Sequence, residues 1–409
     1  MRVFPATPRT MRSAVAVTVI VLLAACGGST QGSGVSARAQ ELQPGLSVLP
    51  DAPISERRNP IIVSGESFVF VWGGVTTSAG VQESFADGAL FDRAEGTWAG
   101  LPDAPFPSGL YQGGGAHVGG DVVVVGTPCG RTSSSDDEAN CEGQGLEAAA
   151  FNVEDESWRQ LDLPASLAGD GATLPPVAHD VGTWDTEAVF SFSVNGTASY
   201  QAVDPVRSTW RALVSPPVGF DTVCPIEGDL FAFGLGSVRT QESIISDSPE
   251  SPGLETLRYD PDQDAWAELP TAIGVSSPFP GIFTCGIDVA LFQAPGLTAS
   301  SVMYFDVGGE GWTLTPPGGL NAYDAGTVAA LTEPGFVLWP RADPNVLLLD
   351  RGTQSWQRVQ KPAPSETAAV LRKAGDQLLV VMPADRSPGR NENATPTLAI
   401  MDPTLFFRA

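Results

Sequence analysis

One spacing recurs six times in this chain: an apolar or aromatic residue, then Asp or Asn, then five variable residues, then Trp. The copies run from Phe91-Asp92 to Trp98, Phe151-Asn152 to Trp158, Val203-Asp204 to Trp210, Tyr259-Asp260 to Trp266, Phe305-Asp306 to Trp312 and Leu349-Asp350 to Trp356. The step from Asp or Asn to Trp is six in every copy, whereas successive Trp residues lie 60, 52, 56, 46 and 44 positions apart. A constant inner step with a variable outer step means one repeated turn between two strands, with tolerant loops between units. Asp or Asn at a strand end bonds its own following backbone and starts a turn. The Trp then opens the next strand as a large apolar wedge, and packing between neighbouring units is its expected role. A length of 409 residues would suggest two or three domains, but repeats override that expectation.

Upstream of each turn lies another short apolar run, and these number seven: Phe68 to Trp72, Val122 to Val125, Val189 to Phe192, Leu230 to Phe233, Val289 to Phe292, Phe336 to Trp339 and Leu378 to Val381. The seventh is followed by Thr397 to Asp402, which reaches Phe406 and Phe407 instead of a Trp. The last unit therefore lacks its outer strand. The missing piece stands at the other end, where Leu49-Pro50-Asp51-Ala52-Pro53 repeats Leu101-Pro102-Asp103-Ala104-Pro105, the residues that follow the first Trp strand. An N-terminal strand that completes the last sheet would close a ring and remove its exposed edge. The expected fold is all-β: a seven-bladed β-propeller of four-stranded blades over residues 45–409. The 45 Gly and 35 Pro, and apolar runs of only four to seven residues, agree with short strands and many turns.

Gly73-Gly74 after an apolar strand, the aromatic-Asp pair and the Trp six residues on resemble the kelch family of β-propellers over about residues 46–407. Only the first repeat keeps the double glycine. The stretch Asp92 to Trp98 also resembles the Asp-box of sialidases, although the Ser and inner Gly of that box are not kept across repeats. A resemblance to galactose oxidase, which has seven kelch blades, implies a copper site of two His, two Tyr and a Cys. This chain has only His117 and His179 and no Tyr-His pair, so no such centre is expected.

Arg2, Arg9 and Arg12 precede a small and apolar run from Ala14 to Ala25, the pattern of an export signal and too short to span a bilayer. It ends in Leu23-Ala24-Ala25-Cys26, which resembles a bacterial lipobox. That resemblance implies a signal peptide over 1–25, cleavage before Cys26 and lipid attachment to its thiol. Residues 26–44 then read as a flexible tether. The expected location is outside the cytoplasm, lipid-anchored to the cell envelope. Four further cysteines in an exported chain suggest two disulfides. Cys129 and Cys141 bracket a polar insertion that a bridge would close, while Cys224 and Cys285 start successive repeats and either pair or remain buried thiols.

A formal charge of −25 disfavours nucleic acid and anionic membranes as partners. Arg57, Arg58, Tyr111 and Tyr323 lead into inner strands and are the candidate ligand-binding residues. His117 and His179 stand at similar points of consecutive repeats, but two imidazoles make a poor metal site, and on a strand Asp180 would point away. No catalytic residues, cofactor or metal are expected. The expected function is a monomeric binding or scaffold propeller that holds a protein or glycan on the face carrying its long loops. The alternative is a carbohydrate-active hydrolase or lyase, sialidase-like or otherwise, with carboxylates near the channel.

Overall fold

The computed structural model describes residues 40–43, 45–78, 81–106, 108–129, 131–133, 145–165, 167, 177–194, 197–217, 220–234, 254–269, 282–293, 302–307, 311–315, 327–332, 335–341, 343–361, 370–382 and 395–406. Seven antiparallel blades form a ring, each with an inner strand nearest the central channel and at least three more strands outward. The inner strands are Ile61–Ser64, Leu110–Val118, Val177–Trp184, Phe220–Ile226, Ile282–Cys285, Val328–Leu331 and Val370–Ala374, and they number the blades 1 to 7.

The six-residue step is a hairpin between the third and outer strands. In blade 1 Asp92 pairs with Thr97 and Phe91 with Trp98, and the same register recurs down to Asp350 with Ser355 and Leu349 with Trp356. Asp92 Oδ1 accepts from the backbone N–H of Ala94 and Glu95, and Asp350 Oδ1 from that of Thr353. That donation holds the Asp350 carboxyl below the usual carboxylate range. The last loop position is left-handed: Gly96, Glu156, Ser208, Asp264 and Gln354 have φ between 48° and 68°. Such a residue ends the four-residue loop at the twist the strands need. Of the five, only Gly96 meets the requirement without steric cost.

Strand sides alternate, so a blade packed on both faces reads as an unbroken apolar run. Phe68, Phe70 and Trp72 face blade 2, while Val69 and Val71 face blade 7, and all five are buried. The core is accordingly seven seams, each with its own cluster. The outer Trp residues fill these seams: Trp158 of blade 2 lies 6.0 Å from Phe70 and 5.9 Å from Trp72 of blade 1. Indole N–H groups reach the preceding blade, with Trp98 donating to Pro50 O (2.8 Å), Trp158 to Pro102 O (3.0 Å) and Trp266 to Val214 O (2.8 Å). These three wedges thereby keep their polar atoms bonded, whereas the indole N–H of Trp210 is buried without a hydrogen-bond partner.

The ring closes as the repeat arithmetic requires. Leu46–Val48 pairs with Thr397–Met401 and becomes the outer strand of blade 7. Asp402 occupies the turn-starting place and caps the short helix Pro403–Phe406, its Oδ1 accepting from Thr404 N (2.9 Å). Two further contacts stitch blade 7 to blade 1. Arg93 donates to the carbonyls of Glu66 and Ala374 and to Gln377 Oε1, and Ser64 Oγ donates to Lys373 O (2.7 Å). One boundary differs from expectation: Gln40–Gln43, read as tether, is a strand paired with Leu46–Val48, so blade 7 has five strands. A polar segment can join a sheet edge by backbone bonds alone, without apolar alternation to announce it.

Between the second and third strands of blade 1, on the face that carries the long loops, Val75–Ser78 and Val81–Ser84 form a hairpin onto which Arg131–Ser133 of blade 2 adds. Arg57 anchors the base of this sheet. Its guanidinium is fully buried, donates to Gly73 O (3.1 Å), Ser55 O (2.9 Å) and Asp87 Oδ1 (2.8 Å), and lies 4.2 Å from the Phe85 ring centroid. Arg57→Met is expected to cost about 3 kcal/mol, discounted for the exposed Asp87 partner but including stranded carbonyls. Arg57→Lys is expected to recover little, because one ammonium cannot replace the fork. Urea unfolding of the three proteins measures both effects, and an unchanged midpoint in Arg57→Met would refute the anchoring role.

Candidate functional site

In a radial blade the inner strand presents its unpaired backbone edge to the channel, so the channel is a polar tube unless something covers it. At its end nearest the turns between first and second strands, the channel opens into a cavity of about 570 Å³. That volume lies within the range of small-molecule sites. The ionisable groups on its wall come from four blades: Glu66 from blade 1, His117 from blade 2, Asp288 from blade 5, and Arg372 and Lys373 from blade 7. The inner disulfide borders it, since Cys285 is also on the wall and is bonded to Cys224 of the preceding blade, with 5.4 Å between the Cα atoms. Of the two alternatives for this pair, the bridge is the one found.

Across the mouth, Lys373 of blade 7 makes a 2.6 Å ion pair with Asp288 of blade 5, passing over blade 6. Asp288 follows Ile287, which pairs in parallel with Ala330 on the channel edge of blade 6. Sequence reasoning missed these two residues. The available signal was that Lys373 is one of only two lysines in the chain, but nothing in the repeat links it to Asp288, 85 positions away.

His117 belongs to the same wall. Its ring packs edge-on against Phe68 at 4.9 Å, and its burial lowers the imidazole pKa, opposed by the Gly119 backbone and by Asp121. The folded state thus resists protonation more than the unfolded chain, so the contribution of His117 to stability is complete above about pH 6.5 and is lost as pH falls below it. The melting temperature from pH 8 to 5 should fall more steeply for the wild-type protein than for His117→Gln; parallel curves would refute the assignment.

The expectation that His117 and His179 stand at similar points is corrected. Thr183 Oγ1 donates to His117 O at 2.6 Å, which places Thr183, not His179, level with His117. His179 is four residues earlier, about 13 Å away along the strand, and is exposed. An eight-residue strand in blade 3, bulged between Asp180 and Gly182, shifts the apparent match. The side chain of Asp180 lies outside the described set. Among the described residues no group of three or more His, Cys, Asp or Glu is placed to hold a metal ion.

Of the four proposed ligand residues, the side chains of two, Arg57 and Arg58, are among the described residues. Arg57 is consumed in the anchor described above. Arg58 pairs through its backbone with Val75 and donates to Thr77 Oγ1 at 2.7 Å, on the loop side of the ring. Tyr111 sits on the inner strand of blade 2 opposite Thr127, and its side chain is outside the described set, as is Tyr323 altogether. A Tyr–Arg–carboxylate set does occur elsewhere. Arg211 donates to Tyr259 Oη (3.2 Å) and Glu187 Oε2 (2.7 Å), and Tyr259 donates to Asp264. Tyr259 is buried in the seam between blades 3 and 4, and burial, followed by the bond to Asp264, pushes its pKa up to about 12. A phenol that is closed off and hard to ionise is a seam latch rather than a nucleophile. Cys129 is buried and disulfide-bonded, while Cys141 and Cys26 lie outside the described residues.

No family model matches this chain. No curated protein matches it either. Among solved structures it is similar to one described as "Structure of YjhT", at 11% identity and a TM-score of 0.41, over 87% of this chain and 97% of that one. The seven blades and their register carry the fold assignment without that likeness.

Proposed function

We propose that this chain is an exported lipoprotein, anchored to the cell envelope through Cys26, whose propeller is a binding module for a protein or glycan presented to its loop face. The observation that carries the reading is the three-stranded sheet that blades 1 and 2 build together on that face from Val75–Ser78, Val81–Ser84 and Arg131–Ser133. Loops that pair across a blade boundary and rest on a buried arginine form a pre-organised surface, and a rigid surface loses less entropy on binding than slack loops do. The strong negative charge favours partners that are neutral or cationic. Deletion of Gly130 to Asn140, most of which lies outside the described residues, should leave the melting temperature within a few degrees but remove capture of envelope proteins and arrayed glycans. Undiminished capture would refute the loop-face site. Cys26→Ala should release the protein from the membrane fraction and abolish fatty-acid labelling.

A second reading, a carbohydrate-active hydrolase or lyase, is favoured by one observation: the channel cavity carries Glu66, Asp288 and His117 on a common wall. Product release from a glycan panel would support it, and a silent panel would remove it.

A further inference from the structure

The turn between the first two strands of blade 5, Ile287-Asp288, is closed by Gly286 N donating to Val289 O (2.8 Å) and leans across the mouth of the channel. Cys285, just before it, is tied to blade 4 by the Cys224–Cys285 disulfide. Ile287 N then donates to Ala329 O (3.0 Å) and Ile287 O accepts from Leu331 N (2.8 Å), so the segment caps the channel edge of blade 6. Asp288 takes φ +53° and places its carboxylate 2.6 Å from Lys373 Nζ on blade 7, with Glu227 N at 3.4 Å. The result is a strap from blade 4 to blade 7 whose last contact is a carboxylate on an ammonium.

We propose that the Lys373 side of the channel cavity is a binding site for a small organic carboxylate, and that Asp288 is its internal occupant, displaced when ligand enters. The Asp288 carboxylate shows what chemistry the Lys373 ammonium accepts at that point. It is replaceable, because the lysine side chain is 62% exposed and the aspartate 26%, and ion pairs open to solvent contribute only about 0–1 kcal/mol. The change in charge on displacement favours an anion. With Asp288 in place, the wall balances Arg372 and Lys373 against Glu66 and Asp288; with Asp288 swung out, the two cations face Glu66 and neutral His117. A volume of about 570 Å³ limits that ligand to a small molecule. An internal competitor reduces apparent affinity by the fraction of time it occupies the site, so its removal should tighten binding. The site lies at the opposite end of the channel from the loop face and stands or falls independently of the lipoprotein reading.

Calorimetric titration of the folded protein with succinate, using inorganic phosphate as the comparison anion, tests this. Asp288→Asn, which keeps a side chain tolerant of the left-handed φ, should bind succinate about tenfold more tightly than the wild-type protein. Lys373→Met should lose binding, and Lys373→Arg should retain part of it. Because the chain has only two lysines and Lys361 is 5% exposed, reductive ¹³C-methylation gives a second readout that needs no variant. The Lys373 resonance should shift with succinate while that of Lys361 stays still. The proposal is overturned if Asp288→Asn binds no tighter than wild type, if Lys373→Met binds equally well, if phosphate matches succinate in every variant, or if the Lys373 resonance does not move.

Discussion

A chain that begins at Pro50 is expected to lose roughly 5 kcal/mol of stability and to aggregate, whereas one that begins at Arg38 should behave like the full-length protein. The difference lies in Leu46–Val48, the outer strand of blade 7. Leu46 and Leu49 are 1% and 6% exposed, and Leu49 N donates to Leu398 O at 2.9 Å. Two buried leucines contribute about 1.5–3 kcal/mol each, and the strand's backbone bonds add to that. Its loss also bares Thr397–Met401, which the strand pairs from Ala399 to Met401, as a free edge open to other chains. Against a typical total of about 5–15 kcal/mol this is a large share. A chain beginning at Gly45 loses the strand Gln40–Gln43 but keeps Leu46–Val48 and is the informative intermediate: it should cost about 1 kcal/mol or less, since that strand adds only a short edge. Urea midpoints and sedimentation of the three chains measure both effects, and equal midpoints for the chains beginning at Arg38 and Pro50 would refute closure by this strand.

Replacement of Cys224 and Cys285 by Ala is expected to cost about 4 kcal/mol. The bridge closes a segment with a sequence separation of 61, and constraint of the unfolded chain over a loop of that length accounts for a figure of this size. The bridge joins the inner strands of blades 4 and 5 and fixes one end of the strap over the channel. The double variant is a better test than a reducing agent, because Cys129 is also disulfide-bonded and would be reduced in parallel. An unchanged urea midpoint would show that the bridge adds nothing to the ring. Faster amide exchange at Ile287 and Leu331, beyond the global destabilisation, is the local signature expected.

Much of the fold was legible because the repeat is local physics. The step from Asp92 to Trp98 encodes a hairpin within seven residues, and all six copies of it in this chain adopt the same pairing. The closing strand was legible for a related reason: Leu49 to Pro53 copies the residues after the first Trp strand, so it declared which position it occupies. Pairing of Cys224 with Cys285 was one of two alternatives in the sequence, and it was settled once the folded ring set both on neighbouring inner strands. Gln40–Gln43 was not legible, since a polar four-residue edge strand has no pattern that distinguishes it from a tether. Arg57 looked like a ligand-facing cation in sequence, because burial of a guanidinium depends on carbonyls from Gly73 and Ser55 that only the folded turn brings together.

The sequence by itself determined the blade, the number of blades and the way the ring shuts, because each depends on spacing within a unit or on a copy of it. The tertiary structure alone decided what lies around the channel. His117, Asp288 and Lys373 come from three blades, and their relation is set by how far each inner hairpin leans toward its neighbour. That lean is fixed by packing in seams whose residues are distant in sequence, and no periodicity along the chain records it.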